Sequence, residues 1–145
     1  MIAMAWDNNT QAGALVWQPG GLATDAGLGT AIYISLFTDR RATVDEMPEG
    51  DRRGWVGDVL AMDDDRIGSR LWLLKREIAS EDVRQRAEDY AAEALAWIVE
   101  GNLAAAVEVA AEWLTGDVLG MRITVVAPTL GEVPPFVVPL RVGQA

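Results

Sequence analysis

The chain has 145 residues, half of them apolar and 23% charged, with a net charge of −10 and neither cysteine nor histidine. That length and composition suit one folded domain. The missing residue types exclude disulfides, thiolate catalysis, Cys or His metal sites and any Ser–His relay.

The charge is unevenly spread. Eight of the twelve basic residues lie between Arg40 and Arg76, beside eight acids, while residues 77–145 hold eleven acids against four bases. Acidic ends around a balanced centre suit basic or mixed protein partners. They argue against nucleic acid, whose phosphates need a basic face. The opening Met1-Ile2-Ala3-Met4-Ala5-Trp6-Asp7 lacks the basic and long apolar regions of a secretory signal. No apolar run approaches the ~20 residues of a membrane span. A soluble protein made in a cytoplasm, with no membrane partner, is expected.

In chain order, residues 1–29 are Gly-rich and polar and suggest an arm, with a turn at Gln18-Pro19-Gly20-Gly21 and a strand candidate from Ala14 to Trp17. Leu28 to Thr38 is ambiguous. Its β-branched content favours a strand, while Leu28, Ile32, Ser35 and Leu36 share one helical face. Arg40 to Asp65 reads as a long loop with Pro48 and scattered glycines and acids; such loops in compact domains are usually functional or partner-bound. Ile67, Leu71, Leu74 and Ile78 recur at helical spacing and predict a short helix over Arg66–Ile78.

The next helix has the clearest signals. Ser80 is a good N-cap, Glu81 and Asp82 suit the first turn, and Gly101 stops it. Val83, Ala87, Tyr90, Ala91, Ala94, Leu95 and Ile98 form one apolar stripe. After Asn102 the period becomes two. Runs from Val107 to Trp113 and from Leu119 to Val125 flank Thr115-Gly116-Asp117 and predict an antiparallel hairpin. A third strand, Phe136 to Val142, carries Pro139, which gives a ladder no donor and places the strand at a sheet edge. Residues 134–145 are therefore expected to be removable without unfolding the domain. The fold class is α+β in a single domain over 1–145: an N-terminal arm (1–29), two or three helices with the loop (28–101), then a small antiparallel sheet (103–142) with a C-terminal edge strand.

Candidate chemistry is thin. Asp63-Asp64-Asp65 with Gly68 invites a calcium reading, but Ile67 and Leu74 stand where an EF-hand loop needs an oxygen ligand and a glutamate. A solvated acidic turn fits better. Glu46, Glu49, Asp51 and Asp58 include possible carboxylate pairs for glycoside hydrolysis. Neighbouring arginines favour their ionised forms, the opposite of what a general acid needs. Trp72 lies in the apolar Leu71-Trp72-Leu73-Leu74 run and is a core candidate. Trp55, in a glycine-flanked loop beside Arg52 and Arg53, is a candidate interface anchor, since Trp and Arg are enriched at hot spots. The last strand is either blunted by Pro139 or open to a partner strand on the side that does not need the proline N–H. No catalytic, cofactor or metal site is expected.

Thr38-Asp39-Arg40-Arg41-Ala42, Asp51-Arg52-Arg53-Gly54-Trp55-Val56-Gly57-Asp58 and Ile67-Gly68-Ser69-Arg70-Leu71-Trp72-Leu73-Leu74 resemble the Mu-type baseplate protein family of contractile-tailed phages. The likeness continues through Ala87-Glu88-Asp89-Tyr90 and Ala94-Leu95-Ala96-Trp97 into the hairpin, over roughly residues 22–127. It implies a non-enzymatic structural component of a virion tail baseplate, made in the bacterial host cytoplasm and carried by Mu-like phages and prophages. More distantly, the family is similar to the wedge protein that starts sheath assembly in T-even phages. That likeness implies six copies between wedge and first sheath ring, and a small sheet that accepts sheath strands. That relative's Glu-Pro-Arg motif is here Glu100-Gly101-Asn102-Leu103. On this reading Arg40, Arg52, Arg53, Trp55 and Asp58 lock the protein into the wedge and the C-terminal sheet pairs with the sheath, with Arg41, Arg70, Phe136, Val138 and Leu140 as further protein-interface residues. Tube or hub proteins are further candidate partners. The alternatives are a tail-associated muramidase using Glu49 or Asp58, and a free acidic adaptor.

Overall fold

The computed structural model describes residues 4–7, 12–15, 17–19, 21–22, 28–60, 67–128 and 135–143. Two small antiparallel hairpins lead: β1 (Met4–Asp7) with β2 (Ala12–Leu15), and β3 (Trp17–Gln18) with β4 (Gly21–Leu22). The strand expected from Ala14 to Trp17 falls on parts of β2 and β3.

The ambiguous segment is a helix, α1 (Leu28–Phe37), with Ile32, Ser35 and Leu36 buried on the face that the helical spacing picks out. Packing overrides β-branched propensity here. Ser35 also accepts a hydrogen bond from the Trp97 indole N–H at 2.9 Å, which ties α1 to the long helix described below.

The helix expected over Arg66–Ile78 is shorter and tighter. Only Leu71–Arg76 is helical, as a 3-10 turn, and Ile78 is 85% exposed. The cause lies just before it. Gly68 takes φ 98°, and Ser69 bridges to Asp39, donating to the Thr38 carbonyl while its own carbonyl accepts from the Arg40 N–H, both at 2.9 Å. A backbone held in this extended pairing cannot already be turning as a helix. Gly68 is obligatory on two grounds: its left-handed φ, and the collision a Cβ would make with the Thr38 carbonyl.

The loop from Arg40 is interrupted by a single turn, α2 (Gly57–Leu60). The long helix α3 (Glu81–Glu100) follows its sequence signals closely. Ser80 Oγ accepts from the Val83 N–H at 3.2 Å, and the buried residues are the seven of the predicted stripe.

β5 (Ala106–Trp113), β6 (Val118–Val126) and β7 (Phe136–Arg141) form an antiparallel sheet in the order β5-β6-β7. Its inner face buries Ala111, Leu119, Met121, Ile123, Val125, Val138 and Leu140, which join α1, α3 and the 3-10 turn in one core. Glu108, Ala110, Glu112, Arg122 and Val137 lie on the outer face in solvent. This is the two-residue alternation of a half-buried antiparallel sheet.

β7 is an edge strand, but it is not removable. Val138, Leu140 and Val142 are 0%, 1% and 2% exposed, so truncation at 134 would open the core along one side.

Candidate functional site

The Arg-rich loop is built around Glu46. Thr43 and Glu46 form a reciprocal turn in which the Thr43 N–H and hydroxyl both donate to Glu46 Oε2, at 2.9 and 3.0 Å, and the Glu46 N–H donates back to Thr43 Oγ1 at 3.3 Å. This is the geometry of a capping box. It aims the other carboxylate oxygen inward, where Oε1 accepts from Arg70 Nη1 at 2.6 Å and from the Tyr90 hydroxyl at 3.0 Å.

Arg70 is shared. Its Nε and Nη2 reach Glu93 at 3.0 and 2.9 Å, and its guanidinium lies 4.6 Å over the Tyr90 ring. Arg40 joins Glu93 at 3.1 Å. Burial pushes the Glu46 carboxyl up, but the Thr43 N–H, then Arg70, Tyr90 and the Thr43 hydroxyl, outweigh it and hold the pKa at about 2. Burial alone would lower the Arg70 pKa; the bonds to Glu46 and Glu93 raise it instead.

A second group of contacts fixes the loop's far side. The Ala42 N–H donates to the Arg52 carbonyl at 2.9 Å. Arg53 sits at φ 56°, an uncommon conformation for a residue with a side chain. It is held there by Asp51, which accepts its N–H at 2.9 Å, by an ion pair to Asp39 at 2.8 Å, and by stacking 4.6 Å over the Trp72 ring. Trp72 in turn donates its indole N–H to the Arg40 carbonyl at 2.8 Å. Strain sustained by several independent contacts characterises a pre-organised segment.

That segment presents Trp55, which is 52% exposed and lies against Gly57, where any side chain would strike the indole. Val56 and Leu60 are exposed beside it and extend an apolar tip. Asp58 closes the loop, donating its N–H to the Trp55 carbonyl at 3.1 Å and accepting the Ile67 N–H at 3.2 Å.

The candidate residues therefore divide. Arg40, Arg53, Arg70 and Asp58 are occupied inside the domain. Arg41 and Trp55 face solvent, and Arg52 is half-buried. Phe136 is half-buried against the core, while Val138 and Leu140 are fully committed to it, so these two offer a partner only backbone. Asp63, Asp64 and Asp65 lie outside the described residues. Sequence reasoning missed Glu93 and Tyr90 as partners of Arg70, because they lie 23 and 20 positions away. Thr43-x-x-Glu46 was a readable signal. Among the described residues, no group of three or more acids is placed to hold a metal ion, and no helix is long and apolar enough to cross a membrane.

The Phage protein GP46 family matches residues 28–131, from the first residue of α1 to beyond the end of β6. The chain belongs to this family. Baseplate protein gp46 of Escherichia phage Mu is 43% identical over 138 residues, 93% of this chain and 92% of that protein. Mu-like prophage FluMu protein gp46 of Haemophilus influenzae is 39% identical over 127 residues, 88% of this chain and 87% of that protein. The GP46 match takes in the whole Glu46–Arg70–Glu93 network and the exposed Trp55 tip. β7 lies beyond it.

Proposed function

We propose that this chain is a structural component of a contractile phage tail baseplate, linking wedge to sheath and starting sheath assembly by strand pairing. The 43% identity to the Mu baseplate protein over nearly its whole length supports the baseplate role. The finer half is our inference from the surfaces the fold leaves available. The Trp55 tip, apolar and pre-organised, is the contact assigned to the wedge, with Arg41 and Arg52 beside it. Arg40, Arg53, Arg70 and Asp58 serve that contact by holding the loop.

The contact assigned to the sheath is the outer edge of β7. The Val142 N–H donates to the Asp117 carbonyl at 2.8 Å, continuing the β6–β7 register, so the even-numbered residues of β7 bond to β6. Val137, Pro139 and Arg141 then point their backbones outward. Proline thus sits on the open side, leaving N–H donors at Val137 and Arg141 and carbonyls at all three positions. A partner strand loses one bond there and keeps the rest. Six copies per baseplate, between wedge and first sheath ring and near tube or hub proteins, complete the arrangement.

A muramidase role would fall to Glu49 or Asp58, and nothing in the geometry of the described residues favours it: Asp58 accepts the Ile67 N–H at 3.2 Å in closing the loop. The test is Val137→Pro, which removes an outward N–H and spares the β6 ladder. Folded protein that enters baseplates but yields tails without sheath is the expected result. Normal sheaths would overturn strand pairing at β7.

A further inference from the structure

The sheet's two edges are defended differently. β7 carries a proline on its outward side, whereas β5 is an eight-residue strand, Ala106–Trp113, with no proline and no lysine. Natural sheets rarely leave such an edge bare, because its unpaired N–H and C=O groups template another strand.

The Leu114 N–H donates to the Val118 carbonyl at 2.9 Å, in the same register as the β5–β6 pairs, so the even-numbered residues of β5 bond to β6 and the odd-numbered ones face out. At Ala111 both outward groups are taken. Its N–H donates to Glu88 Oε1 at 2.8 Å, and its carbonyl accepts from Arg84 Nη1 at 3.2 Å. The two side chains are paired with each other at 2.5 Å, one turn apart on α3, and Glu81 grips Arg84 from the turn before at 2.5 to 3.0 Å. In an antiparallel ladder, a hydrogen-bonded residue exchanges both its bonds with one partner residue. Here the carboxylate stands in for that partner's carbonyl, and the guanidinium for its N–H.

We infer that Glu88 and Arg84 plug the β5 edge and hold it shut against pairing with the β5 edge of a second copy of this chain. The second copy fits because β5 is self-compatible. An antiparallel pairing centred on Val109 or on Ala111 sets Ala110 opposite Glu108 or Glu112, so no carboxylate faces another across the join. The apolar alternation of Val107, Val109, Ala111 and Trp113 continues across it. Among the described residues, only Glu108 and Glu112 on the outer face would then guard the strand. This inference concerns the free chain and does not rest on the baseplate reading.

Amide hydrogen exchange and sedimentation of the purified full-length protein test it together. In the wild type, the Ala111 amide exchanges at least about tenfold more slowly than the equally outward Val109 amide. In dilute, monomeric R84A/E88A, Ala111 rises to the Val109 rate while the β6 amides remain protected; at higher concentration sedimentation shifts towards a dimer or larger species and both outward amides regain protection. Glu88→Gln, which keeps an acceptor oxygen, lies between. Equal rates at Ala111 and Val109 in the wild type would overturn the plug. A folded double variant that sediments as the wild type does at every concentration would overturn the guard against self-pairing. If the double variant loses β6 protection, Glu88→Ala is judged by the same two readouts.

Discussion

Glu46 receives hydrogen bonds from Thr43, Arg70 and Tyr90, which lie on three different segments of the chain. Its pKa is lowered from 4.5 to about 2 in the folded state, so folding favours the ionised form. The stabilisation is complete above pH ~4.5 and is lost as pH falls towards 2. Thermal melts between pH 7 and pH 2 should show this acid limb in the wild type. Glu46→Gln should flatten it and lower neutral stability by about 1–2 kcal/mol, after discounting for solvent screening of a partly exposed pair. An unchanged limb would remove Glu46 from that role. Trp55 is the contrasting residue. Being half exposed, Trp55→Ala should change stability by no more than about 1 kcal/mol, yet reduce incorporation into tails. Co-purification with assembled baseplates is the measurement. Sequence pattern exposed the candidacy of Trp55, whereas the Thr43-x-x-Glu46 signal lay unread inside a stretch that reads as an irregular loop. Pattern did not expose the Arg70–Glu93 pair, since nothing in local spacing says which distant acid an arginine will meet.

At the scale of elements, legibility followed the locality of the cause. α3 was readable end to end because its cap, first-turn acids, stripe and stop all lie within the helix. The hairpin was readable for the same reason. Leu28–Thr38 was not, because Trp97 and the core decide its conformation. The 3-10 turn is shorter than its spacing predicts because Ser69, just after Gly68, is pulled into pairing with Thr38 and Arg40, a contact about thirty positions away in sequence. That account is testable: Gly68→Ala must bear both a left-handed φ and a clash with backbone, and should cost about 2 kcal/mol or more. A denaturation midpoint equal to wild type would mean the pairing yields easily. β7 taught the complementary lesson. Its proline correctly marked an edge, but edge position says nothing about which side chains face inward, and Val138, Leu140 and Val142 are core.

For the whole molecule, composition and motifs together pointed to an α+β domain of a baseplate family, and both the architecture and the family match bear that out. Trp55 and the last strand were candidates in the sequence, and the fold narrowed the proposed surfaces to them, since burial removed Val138 and Leu140 as side-chain contacts. The central claim is that the chain sits in the baseplate and offers β7 to the sheath. Cryo-electron microscopy of tails carrying this chain tests it most directly. The account predicts density for it between wedge and first sheath ring, with the Trp55 tip buried in the wedge and an extended sheath segment bonded along Val137, Pro139 and Arg141. A chain absent from intact baseplates, or present with the β7 edge open to solvent, would contradict it.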